Sequence, residues 1–305
     1  AVSTMLFALG RRIPAADTPV RDSTIARSRS SALRSVTPTR TTVRVMEFET
    51  ITYDVQDRVG RLHFDRPEGA NAVSPTFARE LREAMLHIHY DDSVKSVAVT
   101  AEGKVFCAGG DLKLFHAWGD QMARNAHDML IDFHAAIHMM NHTPKPFVAG
   151  VRGAAGGAGM SLMSAFDLVV SGESAKYTMA YTRAGVTPDG TSSYFVTRHI
   201  GLRRMLDLTL TNRVLSAEEA ESWGLVNRVV ADDDVDTATV ELATTLAQGA
   251  TSALGEAKRV VYNGIDATLE TAGEFEATMI TKAMASADGL EGVAAFVEKR
   301  APEFE

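Results

Sequence analysis

From Met46 onward, short apolar runs alternate with amphipathic segments along the chain. Ile51 to Val55 and Arg61 to Phe64 read as strands joined by a turn at Asp57 to Gly60, and Ser74-Pro75 supplies an N-cap and a first-turn proline. Behind that cap Phe77, Leu81, Met85 and Ile88 recur at helical spacing and form one apolar face. Val97 to Thr100 and Phe147 to Val151 are β-branched, apolar runs suited to buried strands, each followed by a glycine-rich turn and a helix. Ser216 with Glu219 forms a capping box, and Gly224 stops that short helix before Leu225 to Val230 resumes as a strand. From Val235 to the end the pattern is helical only. A helical appendage behind a β/α core packs on a neighbouring subunit or over a ligand site, and both uses are open here.

Composition divides the chain differently. Residues 1–45 are rich in Ser, Thr and Arg, with Asp17 and Asp22 as the only acids, and bury too little apolar surface to fold. They read as a leader or disordered extension with Met46 as a natural start, or as an organellar transit peptide. The expected organisation is an extension (1–45), a folded β/α core (46–234) and a helical region (235–305), the last two being, on the resemblance given below, a core with the CoA site and an oligomerisation region. Cytoplasmic localisation is expected, or an organellar matrix if the extension is a transit peptide. The net charge of -8, without a basic stripe, argues against nucleic acid as a partner. No apolar run approaches the roughly 20 residues of a bilayer span, so no membrane partner is expected. Cys107 is the only cysteine, which leaves no intrachain disulfide, and the nine histidines show no metal-ligand spacing.

Two glycine-rich turns carry the candidate chemistry. Lys104 to Leu112, containing Gly109-Gly110-Asp111, follows the strand ending at Thr100; Gly153 to Met160 follows the strand Phe147 to Val151. Glycines let the backbone approach a ligand closely, and a helix N-terminus favours an anion such as an enolate oxygen. Small-residue turns before helices also serve close packing alone. Two of one design, after two buried strands, suggest that both converge on one oxygen.

The segments Asp65 to Ala72, Phe106 to Leu112, Pro146 to Met160 with Asp167, and Ser216 to Val229 resemble, in order and spacing, the successive signatures of the crotonase (enoyl-CoA hydratase/isomerase) superfamily. The resemblance covers nearly everything from Met46 onward. It implies an α/β fold, a spiral of ββα repeats with a C-terminal α-helical trimerisation region, assembled as a homotrimer or a homohexamer. It implies an acyl-CoA thioester as substrate, with coenzyme A as part of that substrate and no further cofactor or metal. The oxyanion donors would be the backbone N–H groups of Gly110 and Ala158. Contacts to CoA would fall at Ala70, Ala72, Ala108, Asp111, Lys113, Phe296 and Lys299, while Glu68 stands where some relatives carry a CoA-binding lysine.

The same register places the two glutamates of hydratases at Ser161 and Tyr181, neither of which is a carboxylate, and simple hydration is disfavoured. Asp189, in Gly185-Val186-Thr187-Pro188-Asp189-Gly190, resembles the proton-shuttling aspartate of ring-epoxide phenylacetyl-CoA isomerases and enoyl-CoA isomerases. In 4-chlorobenzoyl-CoA dehalogenases the matching aspartate is a nucleophile, aided by a histidine matching His134 and an aromatic matching Tyr181, where tryptophan is expected. A Pro-Asp-Gly triplet is otherwise an ordinary turn, and His134 with His138 otherwise a solvated helix face. Isomerase, hydratase-type lyase, dehalogenase-like hydrolase and non-catalytic acyl-CoA-binding homologue are the readings, isomerase being preferred. Loops over 116–136, with Phe115, Trp118, Met122, Met129 and Phe133 in and beside them, are expected to form an apolar lid. Cys107 reads as a small buried group.

Overall fold

The computed structural model describes residues 46–304, and the extension expected over 1–45 lies outside them. Strand β1 (Met46–Glu47) pairs with β2 (Ile51–Gln56), which turns back into β3 (Val59–Phe64) as an antiparallel hairpin. Its turn is tighter than the expected Asp57 to Gly60: Asp57 and Arg58, with φ of 52° and 69°, make a two-residue connection and Gly60 joins the strand. In helix α1 (Pro75–Tyr90) the Ser74 hydroxyl accepts from the Phe77 N–H, and Phe77, Leu81, Met85 and Ile88 form the buried face.

Strand β4 (Ser96–Ala101) leads through β5 (Val105–Cys107) to α2 (Leu112–Ala117) and α3 (Met122–His142). Strand β6 (Phe147–Val151) leads through β7 (Ala154–Gly156) to α4 (Ala158–Ser164), and β8 (Leu168–Gly172) is followed by β9 (Lys176–Thr178) and α5 (Ser192–Ile200). Thereafter come α6 (Leu202–Thr211), β10 (Leu215–Ser216), α7 (Ala217–Ser222), β11 (Arg228–Val230), α8 (Val235–Ala247), α9 (Thr251–Asp266), α10 (Leu269–Met284) and α11 (Ala287–Glu298).

The repeat is ββα, and its two strands enter different sheets. The first strands build a 7-stranded sheet in the order β1-β2-β3-β4-β6-β8-β11, parallel from β3 onward. The second strands build a 4-stranded sheet in the order β10-β9-β7-β5. Strands β5 and β7 lie inside what the sequence pattern presents as uninterrupted glycine-rich turns. Three residues, one of the runs being Ala-Ala-Gly, are too few and too weakly β-prone to show a period of two. β11 is likewise shorter than the expected Leu225 to Val230, because Leu225 and Val226 pack in the turn that precedes it.

The rings of Phe64, Phe77 and Phe106 meet at centroid distances of 5.0 and 5.4 Å, joining β3, α1 and β5 beneath the first glycine turn. Each such aromatic pair adds about 0.5–1.5 kcal/mol beyond its buried area. On another face of the large sheet, Val59, Ala98, Val148 and Val170 pack against Ala243 and Ala247 of α8.

Helix α9 is tied to the core by a buried ion pair. Lys258 Nζ lies 2.9 Å from Asp167 Oδ2 and donates to the carbonyls of Met140 and Lys145, while Asp167 accepts from the Phe147 N–H and the Tyr262 hydroxyl. Desolvation pushes the Asp167 carboxyl up and the Lys258 ammonium down, opposing the pair, and these surrounding hydrogen bonds satisfy the groups that burial strips of water. Replacing one partner leaves the other charged and alone. Lys258→Met is expected to lower unfolding free energy by about 3–5 kcal/mol, read from urea denaturation.

Candidate active site

The two glycine turns touch. Val73 donates its N–H to Gly109 O at 2.7 Å and accepts from the Asp111 N–H at 3.0 Å, so it grips the residues on both sides of Gly110. The N–H of Gly110 therefore faces away from Val73 and meets no protein acceptor among the described residues. Ala158 is the first residue of α4, and its N–H is one of the donors a helix start leaves over; it too has no protein acceptor among the described residues. Gly109, at φ 107°, permits the approach: a Cβ there would lie 2.8 Å from Gly156 O and 3.4 Å from Ala158 N. Gly157, at φ 50° and ψ -121°, turns the chain into α4 while its own N–H bonds Thr178 O.

The donors face a cavity of about 580 Å³, walled by Phe115, Met122, Met129 and Phe133. The expected lid is thus largely helical rather than looped, coming from α2 and α3; Phe115 lies over Gly110 and stacks on Trp118 at 4.9 Å. Among the described residues Asp189 is the only carboxylate lining this cavity. Its Oδ1 is 2.7 Å from His134 Nε2 and accepts from the Gly190 N–H; Oδ2 has no partner among the described residues. Tyr181, also in the wall, places its hydroxyl 2.8 Å from Ser161 Oγ and donates to the Asp189 carbonyl at 3.1 Å. Burial pushes the Tyr181 phenol up, so it stays protonated across the physiological range. Burial likewise pushes the Cys107 thiol up to about 12, which leaves it an inert packing group.

The structure thus gathers Gly110, Ala158, Tyr181 and Asp189 at one cavity, with Ala108 in its wall, and sets His134 against Asp189 from outside that wall. Other predicted positions are elsewhere. The Ala70 carbonyl receives the Ala108 N–H, and Ala72 is buried beside it. Asp111 caps α2 and pairs with Arg66 at 3.0 Å; partial burial pushes its carboxyl up, but the Leu114 N–H and the guanidinium outweigh that and hold it low. Asp111 is thereby committed to the fold, and Lys113 is exposed on α2 outside the cavity wall. Phe296, 86% exposed, and Lys299 lie at the end of α11 and do not reach the cavity of their own chain. Sequence reasoning missed Asn71. This buried side chain accepts from the Arg66 N–H and donates to the carbonyls of Glu102 and Val105, locking the loop beside the first turn. Its signal was an asparagine able to take a left-handed conformation, here at φ 51°.

An α/β spiral of ββα units presents to one apolar cavity a carboxylate and two backbone donors unpaired among the described residues, an arrangement able to stabilise negative charge on an oxygen. The chain belongs to the enoyl-CoA hydratase/isomerase family, the crotonase superfamily, whose profile matches residues 54–305. It is 34% identical over 251 residues to 4-chlorobenzoyl coenzyme A dehalogenase-2 of Arthrobacter sp., covering 82% of this chain and 91% of that protein. It is 33% identical over 262 residues to the 1,2-epoxyphenylacetyl-CoA isomerase of Escherichia coli (strain K12), covering 85% and 99%. The crystal structure of an enoyl-CoA hydratase from Polaromonas sp. JS666 superposes with a TM-score of 0.80 at 30% identity, covering 84% of this chain and 99% of that one.

Gly109→Ala would force a side chain between the two turns at a left-handed position. Turnover of acyl-CoA substrates is expected to fall by about 10²–10³-fold, the size of losing one oxyanion donor, with about 1–3 kcal/mol of destabilisation from strain. Steady-state kinetics beside chemical denaturation check both.

Proposed function

We propose that this protein isomerises an acyl-CoA thioester. The N–H groups of Gly110 and Ala158 hold the thioester oxygen, and Asp189 Oδ2 takes a proton from the acyl chain. The electron pair left behind forms the enolate, and Asp189 returns the proton at another carbon. One observation carries this reading: among the described residues Asp189 is the only carboxylate lining the cavity, whereas addition of water calls for acids at the positions that Ser161 and Tyr181 occupy. A single carboxylate suffices for a shuttle that gives back the proton it removes. Asp189→Asn is expected to lower turnover of enoyl-CoA or epoxyphenylacetyl-CoA substrates by about 10²–10⁴-fold, and full activity in that variant would end the proposal.

A second reading is favoured by the 2.7 Å contact between His134 and Asp189. Asp189 Oδ2 attacks a carbon of the acyl-CoA: expulsion of a halide from that carbon gives an aspartyl ester, and expulsion of the CoA thiolate from the thioester carbonyl gives an aspartyl anhydride. His134 then takes a proton from water as its oxygen bonds to the Asp189 carboxyl carbon, and cleavage of the ester or anhydride regenerates the carboxylate. Single turnover in heavy-oxygen water distinguishes the routes: label enters Asp189 only by this one, and mass spectrometry of the quenched protein reads it.

The C-terminal helices support a homotrimer or a homohexamer. Leu269, Leu290, Phe296 and Val297 are all exposed on α10 and α11, an apolar surface that a neighbouring copy would cover, bringing Phe296 and Lys299 to the partner's CoA. Light scattering is expected to give a mass of three or six chains, and a monomer would contradict the assignment.

A further inference from the structure

We propose that Ser161 and Tyr181 form a positioning strut for Asp189, two hydroxyls in series that tie its main chain to the helix whose first N–H is the Ala158 donor. This rests on the assignment of Asp189 as the reacting carboxylate. Thr182 to Thr187, the segment leading to Asp189, is exposed throughout, so that stretch by itself leaves the carboxylate poorly held.

Helix α4 supplies a fixed point. Ser161 is fully buried one turn in from Ala158, with its N–H on Gly157 O at 3.0 Å. Its hydroxyl is 2.8 Å from the Tyr181 hydroxyl, which lies 3.1 Å from the Asp189 carbonyl. Each hydroxyl carries one proton. Ser161 Oγ also lies 3.2 Å from Gly157 O, but that carbonyl already accepts the Ser161 N–H at 3.0 Å, so every acceptor is satisfied when Ser161 donates to Tyr181 and Tyr181 donates to the Asp189 carbonyl. Burial keeps the Tyr181 proton in place.

What the strut holds is strained. Gly190 and Thr191 both have φ of 61°, and a β-branched residue with positive φ persists only where its surroundings impose it. The Asp189 carbonyl, at the head of this turn, accepts from Ser192 Oγ at 2.9 Å as well as from Tyr181. Gly190 lies so close to α4 that a Cβ on it would come within 2.9 Å of Ser161 Cβ. The separation between the reacting carboxylate and the Ala158 donor is therefore set through α4 and two hydroxyls. The positions that carry water-activating acids in hydratases serve here to aim one acid.

The test is exchange of the α-protons of phenylacetyl-CoA in deuterium oxide by full-length protein, together with the Kd of the same thioester. Tyr181→Phe and Ser161→Ala are each expected to slow exchange about 10–100-fold, as a displaced catalytic group does, with Kd changed less than about twofold. The double variant is expected to match Tyr181→Phe within about threefold, because two links in series fail once. Multiplying effects, a Kd loss as large as the rate loss, or unchanged exchange in Tyr181→Phe beside an inactive Asp189→Asn would overturn the strut alone. Full exchange in Asp189→Asn would overturn the role of Asp189 and the strut with it.

Discussion

Two stretches of backbone, Gly109-Gly110 and Gly156 to Ala158, approach closely enough that a single added Cβ would part them. For the Gly110 and Ala158 donors to serve one oxygen, as proposed, they must point to one place, and neither may spend its N–H on the protein. Much of the architecture satisfies this demand. The small sheet pairs β5 with β7 in parallel and delivers both turns from its ends, while Val73 takes up the polar groups on either side of Gly110. Phe64, Phe77 and Phe106 form a rigid floor, and Asn71 locks the adjoining loop with three hydrogen bonds. Preorganised donors cost no reorganisation when charge develops, which under the proposed function gives a physical reason to devote so much structure to two N–H groups.

Beside that fixed hole the polar inventory is sparse. The hydroxyls of Ser161 and Tyr181 stand at the two positions where hydratases place acids, Asp189 adds one carboxylate, and the cavity is otherwise largely apolar, with His116 the remaining ionisable lining residue among the described residues apart from the Tyr181 phenol. An environment poor in water strengthens each electrostatic contact within it, so the placement of Asp189 matters more than its identity alone. His134 reaches it from α3, Tyr181 from the segment before the turn, and Ser161 only through Tyr181. Three elements distant in sequence thus converge on one residue.

Much of this was legible in the chain. The capping serine before α1, the capping box of α7 and the helical period of Phe77 to Ile88 are local signals, governed by residues within a turn of one another, and the structure reproduces them. Short strands were not legible, since β5 and β7 exist because a neighbouring strand completes their hydrogen bonds. Nor was the fate of Asp111, an acid inside a glycine turn, which the structure commits to Arg66 and a helix cap.

The sequence alone determined the family, the two glycine turns, the missing hydratase acids and the surviving Asp189, because each depends on residue type at a given spacing. Tertiary structure decided which groups meet. It brought His134 within 2.7 Å of Asp189 across 55 residues of chain, joined Ser161 to Tyr181, and kept Phe296 and Lys299 away from their own cavity. Spacing records separation along the chain, whereas a hydrogen bond depends on distance in space, and only the packing of the ββα spiral converts one into the other.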